Sequence, residues 1–237
     1  GIISDVVTLT LDNERDDEPN LEPGVGDGTF NNRTPADTGD DSAITANNSD
    51  LTVDFGFYRP LSIGNRVWID ANNNGVFDTG EVPVPNGVSL TLYRDDDGIP
   101  GFSAGDSVDP IGGTVTTTNG YYLFDNLQPG DNYIVVIDQD NFVTGSLQGY
   151  RGSDDGGAGF ADDTDTDRND NGRDVTDPAT QGGIPSGIIN LTVPQPTGET
   201  DLSGNLADGP QSRGNNGETD ANSNLTIDFG VYPSAFY

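Results

Sequence analysis

The residues with the most distinctive chemistry lie in a twelve-residue segment rich in oxygen donors, residues 70–81. Its side-chain oxygens, at positions 1, 3, 5, 9 and 12, belong to Asp70, Asn72, Asn74, Asp78 and Glu81. A glycine at position 6 permits a sharp turn, and Val76 at position 7 offers a backbone carbonyl. This is the spacing of an EF-hand-type loop, in which roughly six to eight oxygens surround one calcium ion. We therefore predict a calcium site here, with an ordinary Asn/Gly-rich turn as the alternative.

A second group of carboxylates follows shortly after in the chain. Asp95 and Asp97 belong to a run of three aspartates ahead of Gly98, and Asp106 follows within reach of a chain that folds back. Consecutive carboxylates repel one another unless a cation lies between them. We predict a second calcium site from Asp95, Asp97 and Asp106, with Asp109 as a further candidate ligand and a solvated turn as the alternative.

The longest acidic segment lies at residues 162–174. The candidate ligands in it are Asp165, Asp167, Asn169, Asn171 and Asp174. Counted from Asp167, oxygens fall at positions 1, 3 and 5 with a glycine at position 6, but position 12 is Pro178, which has no carboxylate. We predict that Asp174, Asp177 or upstream residues complete this site, with a disordered acidic loop as the alternative. Together the three segments predict two or more calcium ions.

The overall charge excludes several classes of function. The chain has 9 Lys+Arg residues against 40 Asp+Glu, a net charge of −31, so nucleic acids and anionic membranes are poor partners. All nine basic residues are arginine, and His and Cys are absent. A chain without His, Cys or Lys lacks the usual general bases and nucleophiles. We predict that the protein is not an enzyme and has no catalytic residues.

The same composition demands a source of rigidity. Hydrophobic residues make up 31% of the chain, with 33 Gly and 15 Pro, which is close to the composition of a disordered polypeptide. There is no disulfide to stabilise it, and no apolar run reaches the ~18 residues of a membrane-spanning helix. We expect bound calcium to neutralise the carboxylates of an extracellular, secreted protein that does not insert into membranes.

The elements that must position these loops are short strands. Alternating β-branched and aromatic residues predict an all-β chain with an Ig-like β-sandwich fold, with the calcium-binding loops between strands and no significant helix. The predicted strands are Val6–Leu11, Leu51–Tyr58, Ile63–Ile69, Val88–Tyr93, Gly112–Thr118, Tyr121–Phe124, Tyr133–Ile137, Ile188–Val193 and Leu225–Tyr232.

An internal repeat divides the chain. The motif of Leu51–Tyr58 returns at Leu225–Tyr232 and carries one aspartate in each copy, Asp54 and Asp228, which we expect on the solvent face. Residues 1–60 are predicted to be the closing half of a β-sandwich repeat. An isolated half exposes strand edges, so preceding chain or a neighbouring subunit must complete it. Residues 61–144 are predicted to form a calcium-binding β-sandwich, and residues 145–237 the acidic calcium-binding loop and the closing strands of the repeat.

Residues 62–138 resemble a known family. The segments Ile63–Asp70, Glu81–Tyr93 and Gly120–Tyr133, together with the loop between the first two, closely resemble the SdrD B-like domain of bacterial serine-aspartate repeat adhesins and large secreted repeat proteins. The resemblance implies a calcium-binding, Cna-B-like β-sandwich that serves as a rigid spacer, often in tandem.

These observations favour a structural subunit or stalk module of an extracellular, cell-surface fibre or adhesin. We expect copies of the chain to join end to end in a linear homopolymer or tandem array, with β-strand complementation at the joint. The alternative is an adhesin domain that binds a glycan or a host-surface protein through aromatic residues. The candidates for stacking on sugars, all of which also suit a core, are Trp68, Tyr121 and Tyr150.

Overall fold

A computed structural model describes residues 55–99, 101–154, 166–200, 202 and 213–234. Nearly all of these residues belong to one compact unit, Tyr58–Tyr237, and Gly1–Phe57 form a separate unit. The predicted strand Val6–Leu11, most of the predicted half-repeat at 1–60, and Asp165 lie outside the described residues.

The first sheet is built around one long strand, β1 (Leu61–Ile69). On one side β1 pairs antiparallel with β6 (Tyr121–Leu127) and with β2 (Val82–Pro83). On the other side it pairs in parallel with β11 (Ser223–Asn224) and with β12 (Phe229–Pro233). β8 (Tyr150–Gly152) then pairs antiparallel with β12 at the sheet edge.

The second sheet has an antiparallel pair at its centre, β3 (Ser89–Arg94) and β7 (Asn132–Ile137). The outer side of β3 pairs with β4 (Ser107–Val108) and β5 (Thr114–Thr116). The outer side of β7 pairs with β9 (Ile184–Pro185) and β10 (Ile189–Asn190). Helical structure in the described residues is confined to a four-residue helix, α1 (Asp140–Val143), and a 3-10 turn at Asp220–Asn222.

One hydrophobic core lies between the sheets. Alternate residues of β7, namely Tyr133, Val135 and Ile137, contribute to the same cluster as Phe124 of β6 and Phe229 of β12. Strands of residues 145–237 therefore lie in both sheets and share this core with strands of residues 61–144. The predicted all-β sandwich without significant helix is confirmed.

The structure confirms most of the predicted strands within the described residues and shortens three of them. The segment predicted at Gly112–Thr118 is a strand only at Thr114–Thr116, the one at Ile188–Val193 only at Ile189–Asn190, and the one at Leu225–Tyr232 only from Phe229. Residues 55–58 form no strand.

The outer face of β1 is covered by the candidate calcium loops. Trp68 is fully buried there, and the ring of Phe77 from the loop 70–81 meets it edge-on with 5.8 Å between the ring centroids. Gly230 of β12 passes close by, since a Cβ at that position would lie 3.1 Å from the Trp68 ring. Trp68 is thus a core residue and does not stack on an external sugar.

Asp228 departs from its predicted place on the solvent face. It is fully buried, and its two carboxylate oxygens accept backbone N–H groups of Arg66 at 3.0 Å and Arg168 at 2.9 Å. The residue lies immediately before β12 and forms a parallel bridge with Asp170 of the acidic loop. Its carboxylate therefore joins β1 to that loop and does not face solvent.

Candidate metal centres

Three carboxylates come together where β3 ends and β4 begins. Asp95 directly follows Arg94, and Asp97 lies two residues further on. Asp106 directly precedes Ser107, the residue that pairs with Arg94. The antiparallel pairing of β3 and β4 therefore brings the two ends of this loop together. One oxygen from each carboxylate lies within 4.8 Å of the others, an arrangement that no other three acidic residues in the described part of the chain adopt.

The environment of these carboxylates suits a cation. Oδ2 of Asp106 accepts the Ser103 N–H at 2.6 Å, but its Oδ1 is buried and has no hydrogen-bond partner among the described residues. Burial raises the pKa of Asp106, and the neighbouring Asp97 and Asp95 carboxylates raise it further. Gly105 lies against Asp97 so closely that a Cβ there would meet the carboxylate oxygen at 2.2 Å. A hard cation with oxygen ligands fits this donor set.

Asp109 takes no part in this group. It is buried beyond β4, where its carboxylate accepts the Arg94 side chain at 2.6 Å and the Ile111 N–H at 2.9 Å. Asp109 and Arg94 thus form a structural ion pair at the end of the second sheet.

The loop 70–81 is closed by its first and last residues. Asp70 is fully buried, and its carboxylate accepts the N–H groups of Asn73 at 2.6 Å and Gly75 at 2.8 Å. Gly75 has a φ of 70°, which L residues with a side chain rarely adopt, so the turn at position 6 needs glycine. The Glu81 carboxylate accepts the Ala71 N–H at 2.8 Å and the Asp78 N–H at 3.0 Å, so it ties the two ends of the loop together.

The middle of the same loop converges on Asp78. Its Oδ2 accepts the side-chain amides of Asn72 at 2.9 Å and Asn74 at 3.0 Å, and these hydrogen bonds lower the pKa of Asp78. An amide presents either its oxygen or its nitrogen after a half-turn, so the same three residues can all direct oxygens at one cation. The Val76 N–H binds Asn74, and its side chain is exposed. These hydrogen bonds therefore bring the side chains of three predicted ligands, Asn72, Asn74 and Asp78, close together.

The acidic loop and the loop 70–81 are joined through their backbones. Val76 and Asn169 form an antiparallel bridge, flanked by the Phe77 N–H donating to the Arg168 carbonyl at 2.9 Å. The Asp170 N–H donates to the Gly75 carbonyl at 2.8 Å. The two predicted calcium loops therefore pair edge to edge, which neither sequence motif indicated.

The remaining predicted ligands of the acidic loop lie in different surroundings. Asn171 is buried, and its Oδ1 accepts the Asp228 N–H at 2.9 Å. Asp174 is exposed and lines a shallow cavity with Asn73, Arg151 and Asp154. Oδ2 of Asp167 accepts the Thr200 N–H at 3.0 Å. Gly172 does not adopt a positive φ, so the backbone of this loop differs from that of residues 70–81.

Sequence reasoning missed three residues that support these loops. The Ser153 hydroxyl donates to the Asp70 carboxylate from beyond β8. Arg66 and Arg168 place their guanidinium groups 4.4 Å and 5.0 Å from the Phe77 ring centroid. Ser153 and Arg168 lie far in sequence from the loop 70–81, and Arg66 precedes that loop on β1, outside the spacing of the oxygen donors.

Comparison with known proteins identifies relatives of this fold. The family model of the SdrD B-like domain matches residues 61–183. The chain is 40% identical over 103 residues to the serine-aspartate repeat-containing protein I of Staphylococcus saprophyticus, which covers 42% of this chain and 5% of that protein. It is 38% identical over 104 residues to a fibrinogen-binding protein of Staphylococcus epidermidis, covering 43% of this chain and 8% of that protein.

A similar match comes from a eukaryote. Colossin-B of Dictyostelium discoideum is 38% identical over 85 residues, which is 36% of this chain and 2% of that protein. The chain thus spans less than a tenth of the length of these relatives. Among the described residues, no helix has the length and apolar character needed to cross a bilayer.

Proposed function

The chain belongs to the SdrD B-like domain family, and from this premise we propose that it is a structural module of an extracellular fibre or adhesin stalk, held rigid by calcium. The observation that carries the proposal is the group formed by Asp95, Asp97 and Asp106, in which three carboxylates converge and one buried oxygen has no partner among the described residues. A buried carboxylate oxygen without a donor is unfavourable unless a cation or a proton satisfies it.

Calcium at these loops supports a mechanical role. The loop after β3 and the loop 70–81 both join strands at the ends of the sheets, so an ion in either loop fixes the path between two strands. The acidic loop is paired with residues 70–81 through the bridge at Val76 and Asn169. An ion held by the loop 70–81 therefore also restrains the acidic loop, and the reverse holds as well.

The direct test compares thermal unfolding in calcium and in chelator. At a calcium concentration of about 100 times Kd, each site adds about 2.7 kcal/mol to the folded state. For a domain of this size, two such sites raise the melting temperature by about 10 °C or more. Magnesium at the same concentration is the control for general charge screening, because it prefers smaller octahedral sites and should stabilise less. An equal melting temperature with and without chelator would contradict the proposal.

A variant of Asp106 tests whether the calcium-dependent rise in melting temperature comes from the group formed by Asp95, Asp97 and Asp106. Asp106→Asn should lower the calcium-dependent rise in melting temperature by removing one of the three carboxylates. Asp140→Asn makes the same chemical change at an exposed residue of α1 and should leave the rise unchanged. An equal calcium response in both variants would mean that the ion binds elsewhere.

We further propose that copies of the chain assemble end to end. The support is the contrast between the two copies of the repeated motif. Phe229 and Val231 are fully buried within the first sheet, whereas Phe55 and Phe57, the equivalent residues of the first copy, are 47% and 78% exposed. Exposed apolar residues whose equivalents in the second copy of the motif lie in a strand offer a surface for β-strand addition by another copy.

Assembly is tested by sedimentation and electron microscopy of the full chain across a range of concentrations. Concentration-dependent polymers should form, and a variant with Phe55→Ser and Phe57→Ser should remain monomeric with an unchanged melting temperature. A chain that stays monomeric at every concentration would refute end-to-end assembly and leave the calcium proposal standing.

A further inference from the structure

The tetrapeptide Gly-Glu-Thr-Asp occurs twice beyond β10, at residues 198–201 and 217–220. Both glutamates are buried, Glu199 with 8% and Glu218 with 3% of its surface exposed. Identical local sequence has thus placed two carboxylates inside the protein, and their surroundings differ.

Glu218 has the donors that a buried carboxylate needs. Its Oε1 accepts the Asn126 N–H at 2.9 Å and its Oε2 accepts the Asn216 N–H at 2.8 Å. Glu218 therefore joins its own turn to the end of β6, a structural role that explains its burial.

Glu199 has no such donors. Neither Oε1 nor Oε2 has a hydrogen-bond partner among the described residues. Burial is the main cause that raises the pKa of Glu199 to about 7; its own backbone N–H opposes the rise, and the nearby Asp220 and Asp167 carboxylates add to it. Two buried oxygens without a donor are unusual in a folded protein and indicate a ligand of the opposite charge.

Asp167 of the acidic loop lies beside this glutamate. The N–H and the hydroxyl of Thr200 donate to Asp167 Oδ2 at 3.0 Å and 3.1 Å, which fixes the residue after Glu199 against the first residue of the loop. Oδ1 of Asp167 is buried and has no partner among the described residues. Three carboxylate oxygens without donors therefore lie on two adjacent side chains.

The neighbouring cation offsets only part of this negative charge. Arg213 directs its guanidinium group at Asp220, with Nε and Nη2 at 3.1 Å and 2.8 Å from Oδ1 of that residue. Its positive charge also lowers the pKa of Glu199, but burial and the two neighbouring aspartates outweigh it. When Glu199, Asp167 and Asp220 are all ionised, three negative charges face the single positive charge of Arg213.

We propose that Glu199 and Asp167 bind a calcium ion together, with Glu199 supplying the carboxylate that the acidic loop lacks at its twelfth position. In an EF-hand-type loop the last residue is a glutamate that gives two oxygens, and here that position is Pro178. The segment 195–200 brings Glu199 to the loop from a distant part of the chain, anchored by the Gln195 N–H donating to the Ala221 carbonyl at 2.9 Å. This inference rests on the proposed calcium-dependent function and adds a ligand outside residues 61–183.

The test counts calcium ions bound to the full chain by native mass spectrometry and measures their affinities by calorimetry. Glu199→Gln should bind one calcium ion fewer than the wild type. Glu218→Gln is the matched control in the same tetrapeptide, and it should bind the full number while unfolding at a lower temperature. Asp167→Asn serves as a second variant and should lose the same ion as Glu199→Gln.

The outcomes separate this inference from the proposed function. If Asp106→Asn loses an ion but Glu199→Gln keeps the wild-type number and affinities, Glu199 is a buried neutral acid and the inference fails alone. If the wild type binds no calcium, both proposals fail. If Asp106→Asn and Glu199→Gln each lose one ion, and the double variant loses two, both sites are established.

Discussion

Asp228 illustrates how a single residue decides the connection between a strand and a loop. Its carboxylate accepts N–H groups from Arg66 and Arg168, and its own N–H donates to Asn171. An aspartate between apolar strand residues ordinarily faces solvent, because alternate residues face opposite sides of a sheet. Here the acidic loop covers the face on which Asp228 lies, so the carboxylate is enclosed and satisfied by backbone donors.

We predict that Asp228→Asn destabilises the protein by about 1–3 kcal/mol. One of the two N–H donors would then face an amide NH2 group and lose its acceptor inside the protein. Urea unfolding in the presence of calcium measures the loss. Asp140→Asn makes the same change at an exposed position and should alter stability by less than about 0.5 kcal/mol. Equal stability of the two variants would show that the Asp228 carboxylate is not required.

The pKa of Asp138 gives a prediction about pH. Burial raises it, and hydrogen bonds from Thr91 and Ser89 only partly oppose the rise. Because the folded state holds this proton more tightly than the unfolded state, the associated stability is present below the unfolded pKa of about 3.9 and is lost as pH rises through the folded value.

Asp138→Asn should therefore stabilise the protein at pH 7 and have little effect near pH 3. Asn keeps the acceptor oxygen for Thr91 and Ser89 and removes the buried charge. Melting temperatures at both pH values measure the difference. Asp140→Asn, an exposed residue nearby, controls for the reduction of net charge, and a gain of the same size in that variant would refute the role of burial.

At the scale of elements, the two paired loops and the strand beneath them form one packed layer. Phe77 lies at its centre, edge-on to Trp68 and between the guanidinium groups of Arg66 and Arg168. Cation–π contacts of this kind contribute about 0.5–1 kcal/mol each at partly exposed sites. The ring therefore couples the fold of the candidate calcium loops to the packing of β1.

We predict that Phe77→Ala destabilises the protein by about 2–4 kcal/mol and weakens calcium binding by the loop 70–81. Truncation removes the cover of a fully buried tryptophan and two arginine contacts. Calorimetric unfolding and the near-ultraviolet signal of the single tryptophan measure the effect. Val76→Ala shortens the exposed neighbouring side chain and should be close to neutral, so a large effect of that variant instead would contradict this account.

At the scale of the whole molecule, the first sheet depends on strands that are distant in sequence. β1 is flanked on one side by β6 and β2 and on the other by β11 and β12, which come from the end of the chain. Without that end, one edge of β1 and the core face occupied by Ile227, Phe229 and Val231 would be open to water. The acidic loop would also lose Asp228, its anchor to β1.

We predict that residues 58–144 alone do not fold, because their central strand would keep an unpaired edge and an uncovered apolar face. Residues 58–237 should fold cooperatively under the same conditions. Circular dichroism and dispersion of amide signals in NMR spectra distinguish the two chains. A cooperative transition in the shorter chain would show that residues 61–144 are an independent domain.

The sequence alone was sufficient to predict the all-β class, most strands, and the three acidic segments. These properties follow from local patterns: alternation of apolar residues specifies a strand, and the spacing of oxygens specifies a loop that can wrap around an ion. The groups at residues 70–81 and at Asp95, Asp97 and Asp106 were found for this reason, since their members are near one another in the chain.

Only the tertiary structure decided the contacts between residues that are distant in sequence. The pairing of Val76 with Asn169, the burial of Asp228 and the approach of Glu199 to Asp167 unite residues that no spacing relates. The two Gly-Glu-Thr-Asp segments make the reason clear, since the same four residues give one glutamate two backbone donors and leave the other without any among the described residues. Local sequence sets which groups are available, and only the packing of the whole chain sets which donors or charges surround them.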